Sequence, residues 1–360
     1  MNCPRKFLGV GLVACLAGAV AAVPQSTQPP SPAQSSGPAP SLREPAEPRA
    51  GIHRTVSLVV VPVTVKDGAG NLVTDLGKND FRIFEDGIEQ QIAVFSADAV
   101  PLSAAILVDD DLKRSSADKV QKTLVALAGG FSASDEVSLW RFDEVPQALS
   151  DFTTDNNTLL AQLKRIDLSS SFSGVGSVAV TGGPPLNGQP QPGQPPGPAM
   201  SIGQTNYKHI HDAIYAAAEQ LRDRAPDRRK LIYLISDGRN ARNNTHNYKE
   251  TLELLLSADV SVYAIGIGDP NVNHRITFLG RSILAKYAHA TGGDIFYAAI
   301  PGDLEALYAR VSEQARNQYT IAYSAAQTDH TKPYHSIEVR VERPGLSLLA
   351  RDGYYLNARP

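Results

Sequence analysis

The chain has 360 residues, of which 42% are hydrophobic and 20% charged, and its formal net charge is −3. That length admits one large or two modest domains, and the composition is that of a globular protein rather than a disordered or fibrous one. No basic patch dominates, which excludes nucleic acid as the expected partner.

Arg5 and Lys6 precede an apolar run, Phe7 to Val23, that contains Ala19-Val20-Ala21-Ala22. This is the pattern of an export signal over residues 1–22, and the run is short for a spanning helix. Leu12-Val13-Ala14-Cys15 also matches a lipobox, in which Cys15 would carry lipid and become the mature N-terminus. The residues after Cys15 stay apolar, which favours cleavage near Ala22, and both alternatives stay open. Either route places the product outside the cytoplasm, in the periplasm, the envelope or the medium. Contact with a membrane would then come only from lipid at Cys15 or from an uncleaved signal. Both cysteines, Cys3 and Cys15, lie in the signal. A chain cut after Ala22 would have no thiol, hence no disulfide and no cysteine-based catalysis.

Residues 23–51 are rich in Pro, Ser, Gln and Ala and read as a tether that cannot bury enough apolar surface to fold. Residues 52–98 have β character. The alternation from Val56 to Val63 implies a strand buried on most of both faces, and Asp67-Gly68 and Asp86-Gly87 read as hairpin turns. Ile88 to Phe95 reads as one further strand. A matching set of strands closes the chain over 316–357: Tyr319 to Ser324, Ser336 to Glu342 and Leu346 to Leu349. Neither set buries a sufficient core alone, so the two are expected to pack together as one discontinuous sandwich-like module.

Between them, over 102–315, strand and helix patterns alternate at βαβ lengths, which predicts a doubly wound, mainly parallel α/β sheet. The expected strands are Ala104–Val108, Glu136–Phe142, Leu231–Ser236, Val260–Ile267 and Asp294–Tyr297. The expected helices are Ser116–Leu127, Asn156–Ile166, Ile210–Arg222, Tyr248–Ala258, Ser282–Ala290 and Pro301–Ala315. Thr154 or Asp155 can cap the second helix, and Gly129-Gly130 ends the first. The Gly/Pro-rich stretch 169–206 interrupts this rhythm as a long insertion, read as disordered in preference to an ordered lid.

The chemistry concentrates at two strand ends. Ala104-Ala105-Ile106-Leu107-Val108 runs into Asp109-Asp110-Asp111, and Leu231-Ile232-Tyr233-Leu234-Ile235 runs into Ser236-Asp237-Gly238. Open α/β sheets place their ligand sites at such carboxyl ends. With Lys208-His209-Ile210-His211-Asp212-Ala213-Ile214, these segments resemble a von Willebrand factor A-type domain. The flanks Val61-Pro62-Val63-Thr64-Val65, Asn79-Asp80-Phe81-Arg82-Ile83-Phe84-Glu85-Asp86-Gly87 and Arg351-Asp352-Gly353-Tyr354-Tyr355 resemble the related proteins typical of Acidobacteria. The resemblance covers about residues 54 to 357.

It implies a divalent-cation site held by an Asp-x-Ser-x-Ser loop, a Thr and a further Asp, with a carboxylate from the partner completing the shell. Asp109 and Asp237 match. Asp111 stands at the first serine position, Lys113 at the second and Lys208 at the threonine position, so the motif is degenerate. A protonated lysine has no lone pair to offer a metal. Two readings follow. Asp109, Asp111 and Asp237 still hold Mg²⁺ or Mn²⁺ with both lysines turned outward, or the Lys208 ammonium takes the cation's place. The second is favoured, because both ligand losses introduce positive charge. Lys113 alone reads as a solvated residue at the start of a helix.

Other chemistry is weaker. His209 and His211, with His246 or His274, lack metalloprotease spacing, and Gly174-Val175-Gly176 does not follow a strand. The expected function is a secreted or envelope-associated protein-binding module of adhesion type, without catalysis or a required cofactor. Its face comprises the loops 109–114, 203–209 and 237–245, where Arg239, Asn240, Arg242, Asn243 and Asn244 crowd donors for an acidic or polar partner. The alternatives are a structural scaffold of an envelope assembly, joined by strand addition, and a metal-assisted hydrolase that lacks an evident general base.

Overall fold

The computed structural model describes residues 58–168, 208–268, 282–298, 303–325 and 331–356. The segments read as export signal (1–22) and tether (23–51), and the 169–206 insertion, lie outside the described residues. The chain enters with β1 (Leu58–Lys66), β2 (Phe81–Glu85), β3 (Ile88–Gln90) and β4 (Ile92–Ser96). It then runs through β5 (Leu102–Asp109), α1 (Arg114–Thr123), β6 (Glu136–Phe142), the short β7 (Gln147–Ala148) and α2 (Asn156–Arg165). Next come α3 (Ile210–Arg222), β8 (Arg229–Ser236), α4 (Tyr248–Ser257), β9 (Val260–Gly266), α5 (Ile283–Ala290) and β10 (Ile295–Tyr297). After α6 (Asp303–Arg316), the strands β11 (Tyr319–Ser324), β12 (Tyr334–Val341), β13 (Ser347–Ala350) and β14 (Gly353–Tyr355) follow.

The central sheet has six strands in the order β10-β9-β8-β5-β6-β7, parallel except for the pair β6–β7. Every residue of β5 and β9 is buried, as their mostly apolar sequence requires of strands covered on both faces. Alternate residues of β5 serve two cores. Ala104, Ile106 and Val108 pack with Leu124, Leu163, Leu304 and Tyr308 on one face. Ala105 and Leu107 pack with Ile210, Ala217, Leu255 and Tyr287 on the other. This is the doubly wound α/β sheet expected from the sequence.

The flanking strands form two four-stranded sheets, β13-β1-β11-β4 and β14-β12-β2-β3. Each mixes strands from both ends of the described chain: β1 pairs antiparallel with β11 and β13, and β12 with β2 and β14. Their facing side chains share one core, with Val61, Val63, Ile83, Ile321 and Ile337 around the rings of Phe81, Phe95 and Tyr319.

Three local expectations are corrected. Ile88 to Phe95 is not one strand: it breaks at Gln91, and β3 joins β2 while β4 joins β11. A chain that switches sheets makes a corner of the sandwich, a tertiary demand that local periodicity does not report. β1 does not bury most of both faces in its first half, where Leu58 is 48% and Val60 40% exposed. The helix expected to reach Leu127 ends at Thr123 and continues as a 3₁₀ segment to Gly130. Thr123 turns its hydroxyl back onto the carbonyls of Lys119 and Val120, which weakens the regular ladder. Gly130 is required where this segment meets α6, since a Cβ there would lie 2.7 Å from the Ser312 hydroxyl. At the second helix it is Asp155 that caps, accepting from the N–H groups of Asn157 and Thr158.

The described residues all belong to one compact unit. A buried arginine at the start of β8 ties the flanking strands to the central sheet. Arg229 donates to the carbonyls of Ala315 (2.6 Å) and Arg316 (3.3 Å) at the C-terminus of α6, then to the Gln318 carbonyl (3.4 Å) and the Thr320 hydroxyl (3.0 Å). A cation at a helix C-terminus is favourable, and here it also satisfies carbonyls that the helix leaves open. Lys66 pairs with Asp294 and Arg351 with Asp259 across the same junction. Replacing Arg229→Met leaves these acceptors without a donor and is expected to cost about 2–4 kcal/mol in urea denaturation. A loss below about 0.5 kcal/mol, the scale of an ordinary surface substitution, would show that the arginine does not join the modules.

Candidate functional site

In the strand order, the chain moves from β5 to β6 on one side and reaches β8 and β9 on the other. The crevice at the carboxyl ends of β5 and β8 is therefore the topological switch point of the sheet. Asp109 ends β5, and Ser236 ends β8 with Asp237 next to it. Lys208 reaches the same point from the segment before α3. Its backbone is clamped from two sides: its carbonyl accepts from Ala241 N–H (2.8 Å), and the next residue, His209, donates to the Asp143 carbonyl (2.8 Å).

The Lys208 ammonium is 3.0 Å from Asp109 Oδ2 and 3.0 Å from Asp237 Oδ1. Its side chain is 1% exposed, Asp109 is fully buried and Asp237 is 14% exposed. Asp109 also accepts from the Ser236 hydroxyl (2.6 Å) and from Asp111 N–H (3.0 Å). Ser236 in turn accepts from Gly238 N–H (3.0 Å). Gly238 has φ of +76°, and a Cβ there would press on Leu284 at 3.3 Å, so this turn calls for glycine. Burial pushes the Asp109 carboxyl up to about 6, with Lys208 pulling it down and Asp237 pushing it further up. The ammonium against it opposes that rise and favours the charged form.

Of the residues singled out in the sequence, Asp109, Lys208 and Asp237 come together. Asp111 contributes its backbone N–H, and its half-buried carboxylate stands apart from the ion pairs of Lys208. Burial raises that carboxyl, with Lys208 opposing the shift. Lys113 is exposed at the N-cap position of α1 and makes no cap hydrogen bond with its side chain. Arg239 is 42% exposed and lies 3.6 Å from Asp237.

Asn240 and Asn244, which the sequence presents as donors for a partner, also have a role within the chain through their amide oxygens. Helix α3 begins at His209 without a side-chain cap, so its first N–H groups need acceptors from elsewhere. Asn240 Oδ1 accepts from Ile210 N–H (2.9 Å) and Asn244 Oδ1 from His211 N–H (3.0 Å). Asp212 returns the contact by accepting from Thr245 N–H (2.8 Å) and His246 N–H (2.7 Å). Burial pushes the Asp212 carboxyl up, but these N–H groups and the His246 ring outweigh it and hold it below the usual carboxylate range. The missing cap at His209 was the signal in the sequence for this exchange. Asp110 was also passed over: it is buried, its N–H donates to the Phe142 carbonyl (2.9 Å), and it lies 3.5 Å from Arg141.

The histidines find polar partners within the chain. His209 lies 3.5 Å and His246 3.0 Å from Asp212, and His211 meets the Tyr287 hydroxyl at 2.7 Å. His274 and the loop portion 203–207 lie outside the described residues.

The donor set does not fit a divalent ion as it stands. Mg²⁺ and Mn²⁺ want oxygen ligands with open positions for water or a partner carboxylate, whereas an ammonium without lone pairs fills the space between the two acids here. Lys208→Met would leave Asp109 buried without a counter-charge and is expected to cost about 3–5 kcal/mol in urea denaturation. Adding Asp109→Asn to that variant should recover part of the loss. A change below about 1 kcal/mol in the single variant would contradict a dry ion cluster.

A family model for the von Willebrand factor type A domain matches residues 199–286. No curated protein matches the chain. Among solved structures, the chain is similar to an aerotolerance-related membrane protein from Bacteroides fragilis, at 14% identity and a TM-score of 0.38, covering 59% of this chain and 99% of that one. It is similar to proximal thread matrix protein 1 of the mussel byssus, described with a zinc-occupied MIDAS motif, at 14% identity and a TM-score of 0.40. That match covers 62% of this chain, which spans about half (49%) of the mussel protein. It is also similar to the manganese-loaded TRAP protein of Plasmodium vivax, at 13% identity and a TM-score of 0.40, covering 77% of this chain and 100% of that one. At these identities and scores, none of the three bears on function.

Proposed function

We propose that this chain, which carries a von Willebrand factor type A domain, is a non-enzymatic protein-binding module that recognises its partner without a divalent cation. The observation that carries the reading is the seat of Lys208 between Asp109 and Asp237. In the metal-dependent arrangement that the sequence resembles, a partner carboxylate completes the shell of the ion. A buried ammonium with both acids already against it leaves no such open position. Recognition then passes to the rim, where Lys113 and Arg239 are exposed beside the half-buried Asp111. Exposed charges of this kind set association rate, salt dependence and partner choice more than raw affinity. A metal-assisted hydrolase is disfavoured on the same ground, because the acids that it would use as metal ligands are engaged with Lys208.

The working place we propose is outside the cytoplasm, secreted or at the envelope. The support is the signal-like segment with Arg5, Lys6 and the apolar run to Val23. Among the described residues no helix is long and apolar enough to cross a membrane. One observation favours a second reading, a scaffold joined by strand addition. β4 is the edge of its sheet and carries Val94 at 44% exposure, in register with Ala322 of β11, which faces the exposed Val60 of β1.

Calorimetry of the mature protein with Mg²⁺ or Mn²⁺ at neutral pH is expected to give no isotherm. Restoring the resembled pattern by Asp111→Ser, Lys113→Ser and Lys208→Thr is expected to create a divalent-dependent rise in Tm, reversed by chelator. A stoichiometric wild-type isotherm that disappears in Asp109→Ala would return the chain to metal-dependent recognition. For the partner itself, crosslinking in native envelopes followed by mass spectrometry is expected to give a capture that persists in chelator and weakens in Arg239→Glu. Capture that chelator abolishes would overturn the metal-free reading, and capture unchanged in Arg239→Glu would overturn the rim as its surface.

A further inference from the structure

The end of the loop that Asp212 holds leads into a groove between α3 and α4. Its volume is about 340 Å³, and it is lined by Tyr215, His246, Glu250, Glu253, Leu254 and Ser257. The rings of Tyr215 and His246 are stacked, with centroids 3.6 Å apart and planes 8° from parallel. His246 is fixed in that pose. Its backbone N–H donates to Asp212 Oδ1 at 2.7 Å, and its ring Nδ1 lies 3.0 Å from the same oxygen. The platform is therefore built before any ligand arrives, which lowers the ordering cost of binding.

The opposite wall comes from α4. Glu250 stands at the first turn, where Oε2 accepts from Asn247 N–H at 3.0 Å in a capping box that holds its side chain in place. Glu253 lies one turn further on, exposed, with no hydrogen bond or ion pair to its carboxylate among the described residues. Leu254 adds an apolar surface to the same lining. An aromatic face, a short apolar floor and two carboxylates on one side form a receptor for a cation that carries a hydrocarbon stem. Arginine suits it best: the planar guanidinium stacks on a ring while its edge pairs with a carboxylate. Lysine can use the same features, its methylenes over Leu254 and its ammonium at the acids.

We infer that this groove is a binding site for an arginine or lysine side chain presented by a protein partner. It is separate from the crevice that holds Lys208, and its chemistry does not depend on whether that crevice binds a metal. The two are nonetheless joined by one loop. Residues 237–246 run from the acid paired with Lys208 to the ring that walls the groove, pinned in the middle by Asn240, Asn244 and Asp212. A partner that meets the rim at Arg239 with an acidic group would meet this groove with a basic one, so opposite charges in the partner set its orientation on the domain.

The test uses the mature protein labelled with ¹⁵N and two probes, N-acetyl-arginine methylamide and its uncharged counterpart N-acetyl-norleucine methylamide. Titration is expected to move the backbone signals of His246, Glu253 and Ser257 saturably with the arginine probe. The norleucine probe should bind at least about tenfold more weakly. Glu253→Gln, at an exposed position that should not disturb folding, is expected to weaken the arginine probe several-fold, and Tyr215→Ser to remove the saturable shift. Equal shifts from both probes would overturn the assignment in favour of a merely apolar cleft. The absence of any saturable shift would overturn it as a site. Repeating the titration on the same protein with Mn²⁺ and with chelator should give the same arginine affinity, which separates failure here from failure of the metal-free reading.

Discussion

One buried ammonium organises the upper end of the sheet. Parallel strands that stop side by side bring their terminal acids together, and Asp109 and Asp237 would repel in a dry crevice without a cation between them. Lys208 supplies that charge from inside the chain. Each contact at 3.0 Å is worth about 5 kcal/mol at an effective dielectric near 20, the same order as the several kcal/mol needed to dry each ion. The cluster thus adds little net stability but fixes geometry, because removing Lys208 leaves Asp109 buried without its counter-charge. The clamp on the Lys208 backbone, the glycine turn at Gly238 and the hydroxyl of Ser236 all serve to hold that one atom in place.

The consequences run outward along the chain. Fixing Lys208 fixes the start of α3, whose bare first turn is then capped by Asn240 and Asn244 of the neighbouring loop. Asp212 answers from the helix and draws in Thr245 and His246. Helix and loop hold each other, and the loop presents a charged rim at one end and a stacked aromatic pair at the other. The flanking strands act differently. They are drawn from both ends of the described chain, share a core of their own, and are fastened to the central sheet through polar contacts around Arg229, Lys66 and Arg351 rather than through a continuous apolar interface. Such junctions depend on the partner groups being satisfied one by one.

Much of the central sheet was legible in the sequence because it is made of long apolar runs that stop at chemical landmarks. Glu136–Phe142 and Ile210–Arg222 have the limits that periodicity and turn residues indicate, and Leu102–Asp109 ends at its acids as read. The place of Lys208 was suggested by the resemblance, which puts a positive residue at a ligand position beside two retained acids. The fate of Asn240 and Asn244 was not, because a polar loop residue looks the same whether its amide faces a partner or a helix end. It required noticing that His209 is no cap. The break at Gln91 and the bare half of β1 were hidden for another reason. Both depend on which sheet a neighbouring strand joins, and alternation along one strand carries no information about that. Leu58 and Val60 look like core residues by composition, yet that face of β1 is open at both and becomes buried only at Thr64.

Diffraction can read directly which cation lies between the two carboxylates. Crystals of the mature protein soaked in Mn²⁺ and measured at an anomalous-scattering wavelength should show the Lys208 side chain between Asp109 and Asp237, with no anomalous peak within ligand distance of either acid. An ordered manganese peak about 2.2 Å from Asp109, with Lys208 swung out toward solvent, would contradict the account and leave the lysine as a displaceable guest in a metal site.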